Sequence, residues 1–118
     1  MEQKSRPKEL GMLLVVGGPG GSGSSTIAKM LAEYFSLERI YGGEIFRNVL
    51  KEMGYANNED AYYRSNEQML LEIDKKVDNI LIDYSRKSNV LIESKIFSAI
   101  ATKNNISTTA RIWITVLA

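Results

Sequence analysis

Apolar runs alternate with amphipathic stretches along the chain, and this pattern predicts an α/β fold. Residues 12–16 form a continuous apolar run, which is typical of a strand buried on both faces. Residues 24–35 then repeat apolar side chains at helical spacing. Shorter apolar or β-branched runs predict further strands at residues 37–41, 90–92 and 110–117. Four strands separated by helices predict a parallel sheet, which binds ligands at the carboxyl ends of its strands.

More helices are predicted between the later strands. Residues 42–54 place apolar side chains on one side, beginning at two glycines and ending at a third. Asn57 or Asn58 is predicted to cap a following short helix. Acidic residues in the first turn of that helix also favour it. A long amphipathic pattern predicts one helix over residues 66–86, and residues 96–102 form a last helix before a polar turn.

The connection between the first strand and the first helix has the composition of a phosphate-binding loop. Gly18 and Gly23 bracket four residues and are followed by Ser24 and Ser25, which is the spacing G-x-x-x-x-G-K-[ST] with serine in the lysine position. Glycines let successive N–H groups turn towards a phosphate, and the start of the helix also favours anions. A flexible Gly/Ser turn is the alternative, but the flanking strand and helix favour phosphate binding. The residues predicted to hold the phosphates are Gly18, Pro19, Gly20, Gly21, Ser22, Gly23, Ser24, Ser25 and Thr26, with Ser25 also predicted to bind Mg²⁺.

Composition narrows the chemistry that this chain can perform. Its 118 residues make one domain at most, with 44% hydrophobic and 25% charged residues. The absence of cysteine and histidine excludes disulfides, thiolate or imidazole metal sites and histidine-based hydrolase triads. A net charge of +1 argues against nucleic-acid binding. No run is long enough to span a membrane, so we expect a cytoplasmic protein.

The first ten residues are predicted to be a polar leader before the domain of residues 11–118. Lys4, Arg6 and Lys8 are expected to keep this leader solvated rather than to bind anything.

Three charged residues at or near predicted strand ends are candidates for phosphate chemistry. Glu93 could hold a Mg²⁺-bound water, although a strand-end acid can also simply cap the next helix. Arg47 suits the phosphate of an acceptor, or it could pair with Glu44 or Glu52 on the surface. For Lys95 the binding and surface interpretations remain equally open.

Four sequence blocks together make the chain resemble the nucleoside monophosphate kinases, most closely the archaeal-type cytidylate kinases. Residues 18–26 match that family's G-x-P-G-[ST]-G-T-T-T with the proline shifted by one, and residues 41–47 match S-A-G-E-[IV]-F-R. Residues 72–76 match E-I-D-R-R, and residues 89–95 match N-V-V-L-E-G-R. The family often has a small hydroxyl residue in place of the lysine, so Ser24 looks like a family trait.

The resemblance implies a P-loop NTPase fold and an ATP-dependent transfer to a nucleoside monophosphate, with CMP or dCMP favoured and Mg²⁺ required. It assigns catalysis to Glu93 and Arg47, and acceptor binding to a helical insert at about residues 42–86. The acceptor-binding residues that it implies are Gly43, Arg47, Asp74 and Lys95. We expect a monomer without nucleic-acid or membrane partners.

The departures from the family pattern lie on the acceptor side and at the end of the chain. Tyr41 replaces a small serine, Ser94 replaces glycine, and Lys75, Lys76 and Lys95 replace arginines that bind phosphate with two donors. The family's lid and last strand are expected to be absent from this sequence. A catalytically degenerate ATP-binding module, serving as a pseudokinase or sensor, and a non-functional kinase fragment therefore remain alternatives.

Overall fold

A four-stranded parallel sheet forms the centre of the computed structural model, which describes residues 6–115. The strand order is β2-β3-β1-β4, so the first strand lies inside the sheet. This arrangement confirms the predicted α/β fold. Residues 1–5 of the predicted leader, which include Lys4, lie outside the described residues, and so does the end of the predicted fourth strand. The strands are β1 (Leu13–Gly17), β2 (Glu38–Tyr41), β3 (Val90–Glu93) and β4 (Ala110–Trp113).

Five α-helices connect and cover these strands, close to their predicted positions. Asn57 accepts a hydrogen bond from the Asp60 N–H and so caps the third helix, while Asn66 caps the fourth in the same way through the Met69 N–H. No helix in the described residues is long and apolar enough to cross a membrane. The helices are α1 (Ser24–Tyr34), α2 (Gly42–Glu52), α3 (Asn58–Arg64), α4 (Glu67–Ser85) and α5 (Phe97–Lys103), preceded by a 3₁₀ turn at Lys8–Leu10.

Alternate residues of β1 belong to two separate apolar cores, one on each face of the sheet. Leu13 and Val15 pack in the larger core, which includes residues of α2, α4 and α5. Leu14 and Val16 pack in the smaller core with residues of α1. All five residues of β1 are buried, as the continuous apolar run predicts. The glycine loop therefore starts from a strand that is buried on both faces of the sheet.

Arg6 anchors the leader to the body of the protein, so the prediction that this side chain stays solvated was wrong. Its guanidinium donates hydrogen bonds to the carbonyl oxygens of Leu10 and Gly11, at 3.2 and 3.0 Å. It also donates to the carbonyls of Ser85 and Lys87, at 3.0 and 2.8 Å. Carbonyls at a helix C-terminus lack intrahelical donors and carry partial negative charge, so they attract a multidentate cation. Sequence spacing gives no sign of the contacts with Ser85 and Lys87, because these residues are distant from Arg6 along the chain.

Asp78 on α4 is the side chain whose replacement should stabilise the fold. Its Oδ1 is buried without a hydrogen-bond partner in the described part of the chain. Burial raises the pKa of the Asp78 carboxyl, the charge of Asp74 raises it further, and Lys103 opposes both effects. A carboxyl whose pKa is raised by folding stabilises the protein below its unfolded-state pKa and loses that contribution as pH rises through its folded-state pKa. Asp78→Asn should therefore raise the Tm at neutral pH by about 2–4 °C.

The pH dependence of this gain distinguishes an electrostatic cause from a packing cause. Near pH 3 the carboxyl is protonated in both states, so the difference between the variant and the parent protein should disappear. Asp83→Asn is the matched control, because Asp83 is exposed on the same helix and pairs with exposed Arg86 at 3.6 Å. Thermal melts of both variants across this pH range make the measurement. A lower Tm for Asp78→Asn at neutral pH would contradict the interpretation.

Candidate functional site

The glycines of the loop between β1 and α1 are required for two different reasons. Gly21 and Gly23 have φ angles of +77° and +88°, which favour glycine. Gly17 and Gly18 are required by close approach instead. An added Cβ would lie 2.6 Å from the Ser94 carbonyl oxygen at Gly17, and 2.6 Å from the Ile114 carbonyl oxygen at Gly18. The loop is therefore shaped by its own backbone angles and by the ends of both neighbouring strands.

Helix α1 begins directly after this loop and carries two of the predicted site residues in its first turn. Gly23 precedes the helix and has no side chain with which to cap it. The Ser24 N–H donates to Ser22 Oγ at 3.3 Å, which ties the loop to the helix start. N-terminal amides without a side-chain cap remain available to an anion. The geometry thus suits phosphate groups placed against the loop and the helix start.

Glu93, at the end of β3, is the buried acid of the site. Its side chain is only 5% exposed, and its two oxygens have different partners. Ser25 Oγ donates to Glu93 Oε2 at 2.5 Å. Arg39 donates to Glu93 Oε1 through Nε at 2.7 Å, and its Nη2 lies 2.6 Å from the same oxygen. The structure therefore brings together the two residues predicted to serve Mg²⁺ and adds an arginine that sequence reasoning missed.

Ser94, rather than Glu93, caps the helix that follows β3. Its Oγ accepts hydrogen bonds from the N–H groups of Ile96 and Phe97, both at 3.2 Å. The same residue lies against the start of α2, because an added Cβ at Gly42 would be 3.2 Å from Ser94 Cβ. The alternative interpretation of Glu93 as a simple helix cap does not describe this arrangement.

The chemistry of Ser25 and Glu93 fits a magnesium ion that is bound together with phosphate groups. Both residues offer oxygen atoms, which Mg²⁺ prefers. Within residues 6–115 there is no group of three or more Asp, Glu, His or Cys side chains that could hold a metal ion. Mg²⁺ commonly takes only one or two protein oxygens and completes its shell with phosphate oxygens and water. These residues therefore suit a metal that arrives with a nucleotide.

One cleft of about 610 Å³ joins the loop to the second helix and to the end of β3. Tyr41, Phe46, Val77 and Leu81 also line it, and sequence reasoning had treated the last three as ordinary helix positions. Their apolar spacing on α2 and α4 predicts a buried face but does not reveal an opening beside it. The predicted site residues that line the cleft are Gly18, Pro19, Gly20, Gly21, Gly23, Ser24, Ser25, Gly43, Glu93 and Lys95, whereas Ser22, Thr26, Arg47 and Asp74 do not.

Arg47 is exposed on α2 and lies outside the lining of the cleft. In the described region Arg47 forms no ion pair with Glu44 or Glu52, which are the surface partners in the alternative interpretation of this residue. Glu52 lies instead 3.4 Å from Lys76 Nζ. The Arg47 guanidinium carbon is 5.8 Å from the centre of the Tyr41 ring. Arg47 therefore lies within cation–π range of an aromatic side chain that lines the cleft.

The ring of Tyr41 reduces the space at the start of α2. An added Cβ at Gly43 would lie 2.7 Å from Tyr41 Cζ and 2.8 Å from its hydroxyl oxygen. The guanidinium carbon of Arg39 is 5.1 Å from the ring centre, so two arginines lie within cation–π range of this tyrosine. A serine at this position would leave that part of the cleft open.

Arg39 is the functional candidate that the sequence pattern did not identify. In the parallel register Tyr41 pairs with Glu93 and Arg39 pairs with Leu91, two residues earlier. Residues two apart on a strand share a face, so Arg39 and Tyr41 point to the same side of the sheet. The available signal was indirect, because a buried carboxylate requires a counter-charge from a neighbouring element.

Comparison with known proteins gives a consistent set of similarities. A family model described as "AAA domain" matches residues 16–113. The chain is 34% identical to a cytidylate kinase of Methanocaldococcus jannaschii over 102 residues, which are 86% of this chain and 56% of that protein. It is 30% identical to a cytidylate kinase of Methanococcus aeolicus, over 87% of this chain and 56% of that protein. A cytidylate kinase of Pyrococcus horikoshii is 35% identical over 72% of this chain and 43% of its own length. The chain thus spans about half the length of the curated relatives that it matches.

Proposed function

Because this chain belongs to the family described as the AAA domain and gathers a glycine loop, Ser25 and Glu93 around one cleft, we propose that it is a nucleotide kinase. The proposed reaction transfers the terminal phosphoryl group of ATP to a nucleoside monophosphate and leaves ADP and a nucleoside diphosphate. The observation that carries this proposal is the 2.5 Å contact between Ser25 Oγ and Glu93 Oε2 beside the loop. We place this activity in cytoplasmic nucleotide metabolism.

The residues of the cleft can supply what phosphoryl transfer requires. This reaction depends mainly on positioning and on stabilising negative charge, and it needs no histidine base. The loop amides and the start of α1 would hold the phosphates of ATP. Ser25 would be a direct ligand of Mg²⁺, and Glu93 would hold a metal-bound water. When bound, Mg²⁺ neutralises charge on the phosphate oxygens.

The acceptor is proposed to be CMP or dCMP, bound between the start of α2 and the loop that follows β3. Gly43 and Lys95 line this part of the cleft, and backbone N–H groups at a helix start together with a lysine suit a phosphate. The preference for cytidine rests on the names of the relatives. Arg47 would bind the acceptor phosphate after its side chain leaves Tyr41, and Asp74 on α4 would contact the acceptor only after the cleft closes.

A coupled assay on the full-length gene product tests the proposal. ATP and Mg²⁺ are supplied with CMP, dCMP, UMP or AMP as separate acceptors, and ADP formation is followed. We expect the highest kcat/KM with CMP or dCMP. Absence of ADP formation above background with every acceptor would overturn the proposal.

A catalytically degenerate ATP-binding module is the second candidate, and a specific contact favours it. The Tyr41 ring lies against Gly43 at the start of α2, where the proposed acceptor would bind. ATP binding in a calorimeter without turnover of any acceptor would identify this candidate. Failure to bind ATP together with a broad, uncooperative melt would instead indicate a kinase fragment without function.

Replacing Tyr41 by serine should improve acceptor binding. The substitution opens the start of α2 and removes a cation–π contact with Arg47, a type of contact worth about 0.5–1 kcal/mol at exposed sites. We expect the KM for CMP to fall by about 3–5-fold. Tyr34→Ser is the control, because Tyr34 is 81% exposed on α1. A higher KM for CMP in Tyr41→Ser would show that the ring contributes to acceptor binding.

A further inference from the structure

We propose that Arg39 is a positioning residue that fixes the orientation of Glu93 towards the metal. The guanidinium holds one carboxylate oxygen so that the other stays directed at Ser25. This inference rests on the proposed function, because it concerns the metal site of the same cleft. Neither the sequence pattern nor the similarity to known kinases assigns this role to Arg39.

The hydrogen bonds of Glu93 separate its two oxygens. Arg39 Nε donates to Oε1 at 2.7 Å, and Nη2 approaches the same oxygen at 2.6 Å. Oε2 accepts from Ser25 Oγ at 2.5 Å. Two donors that converge from a rigid, planar group restrict rotation of the carboxylate more than a single donor does. Arg39 therefore holds the carboxylate in the orientation that keeps its second oxygen against Ser25 at the start of α1.

Burial makes this contact necessary. The Glu93 side chain is 5% exposed, whereas that of Arg39 is 25% exposed. An ionised carboxylate in such a place is costly unless it is paired and hydrogen-bonded. Within residues 6–115, Arg39 is the one basic side chain at ion-pair distance from Glu93. Arg39 is thus the basic side chain that offsets the cost of burying the Glu93 carboxylate.

Neighbouring residues hold Arg39 in place in turn. Arg39 lies two residues before Tyr41, which pairs with Glu93 in the parallel register. The Tyr41 ring centre is 5.1 Å from the Arg39 guanidinium carbon, within the range of a cation–π contact. Arg39 therefore contacts Glu93 and the aromatic side chain of the cleft without lining the cleft itself.

Manganese binding in the presence of ADP separates this role from simple stabilisation. Electron paramagnetic resonance measures the Kd of Mn²⁺ in the complex of the full-length protein with ADP, and calorimetry measures the affinity for ADP without metal. For Arg39→Gln we expect the Mn²⁺ Kd to rise about 10-fold or more, the usual effect of losing a residue that orients a metal ligand. Metal-free ADP affinity should stay within about twofold, because the contacts of Arg39 are with the side chains of Glu93 and Tyr41.

Arg39→Lys keeps the positive charge and removes the planar guanidinium with its two converging donors. This variant tests the positioning role if Arg39→Gln fails to fold. We expect a smaller rise in the Mn²⁺ Kd, of about 3–10-fold, with a cooperative melt. Arg86→Gln is the matched control, because Arg86 is exposed and pairs with an exposed aspartate at 3.6 Å. Unchanged Mn²⁺ affinity in folded Arg39→Lys would overturn the proposal and leave Arg39 a merely structural partner.

Metal binding and phosphoryl transfer, measured on the unmodified protein and on the Arg39 variants, distinguish failure of this inference from failure of the proposed function. Mn²⁺·ADP binding that depends on Arg39, without phosphoryl transfer, would reject the kinase activity and support the positioning role. Phosphoryl transfer with Mn²⁺ affinity that is independent of Arg39 would support the kinase activity and reject the positioning role. If the unmodified protein binds no Mn²⁺ with ADP, the positioning role is overturned.

Discussion

Glu93→Gln should lower the kcat of the proposed phosphoryl transfer by about 10²–10³-fold, the range seen when one preorganised electrostatic group is removed. Glutamine has nearly the same shape and can still accept the hydrogen bond from Ser25, so the geometry of the loop is retained. It lacks the negative charge that a metal-bound water would contact, and it leaves Arg39 beside a neutral amide. The measurement is kcat and KM for ATP and CMP, with the Mg²⁺ concentration varied.

The control for this experiment is Glu33→Gln, which removes an exposed carboxylate from α1, the helix that carries Ser25. We expect this control to retain the kcat of the parent protein. Because replacing one partner of a buried ion pair can destabilise a fold, the melting curve of Glu93→Gln is recorded as well. A folded Glu93→Gln protein with kcat within about threefold of the parent would contradict the role of Glu93.

Gly17→Ala should destabilise the folded protein by about 2–3 kcal/mol, an effect typical of an overpacked core. The added methyl group would lie 2.6 Å from the Ser94 carbonyl oxygen and 3.1 Å from the Trp113 ring. The Ser94 backbone has little freedom to move, because its N–H donates to the Val16 carbonyl oxygen at 2.9 Å. Urea unfolding, with fluorescence or circular dichroism as the signal, gives the free energy of unfolding.

The same loop provides a matched control for this substitution. An added Cβ at Gly20 has no heavy atom within 4 Å, and Gly20 is not among the glycines with positive φ. Gly20→Ala should therefore change the free energy of unfolding by less than about 0.5 kcal/mol. Equal effects of the two substitutions would show that the loop is not packed against β3 and β4 as described.

Local sequence patterns predicted the strands and the loop, because each depends on residues that are neighbours along the chain. A continuous apolar run is typical of a strand buried on both faces, and residues 13–16 before Gly17 are buried. The spacing of Gly18, Gly23 and Ser25 places a hydroxyl at the first turn of a helix without reference to the rest of the chain. The side chain of Asn57 similarly caps α3 from a position that the sequence had indicated.

Contacts between distant segments could not be predicted in the same way. The partnership of Arg39 with Glu93 depends on the register between β2 and β3, which a single sequence does not specify. The docking of Arg6 on carbonyls near the end of α4 depends on how the leader crosses the body of the protein. The position of Arg47 near Tyr41 depends on side-chain conformation, so its role in acceptor binding remains a prediction.

Ser94 contacts both the glycine loop and the start of α2, which lie on different sides of the cleft. Its carbonyl abuts Gly17 at the start of the phosphate loop, its Cβ abuts Gly42 at the start of α2, and its hydroxyl holds the first turn of α5. A displacement of α2 by the proposed monophosphate would therefore press on the loop that is proposed to hold the triphosphate. Thermodynamic linkage makes such an effect reciprocal. The two proposed substrates are thus expected to bind with coupling, each changing the affinity for the other by the same factor.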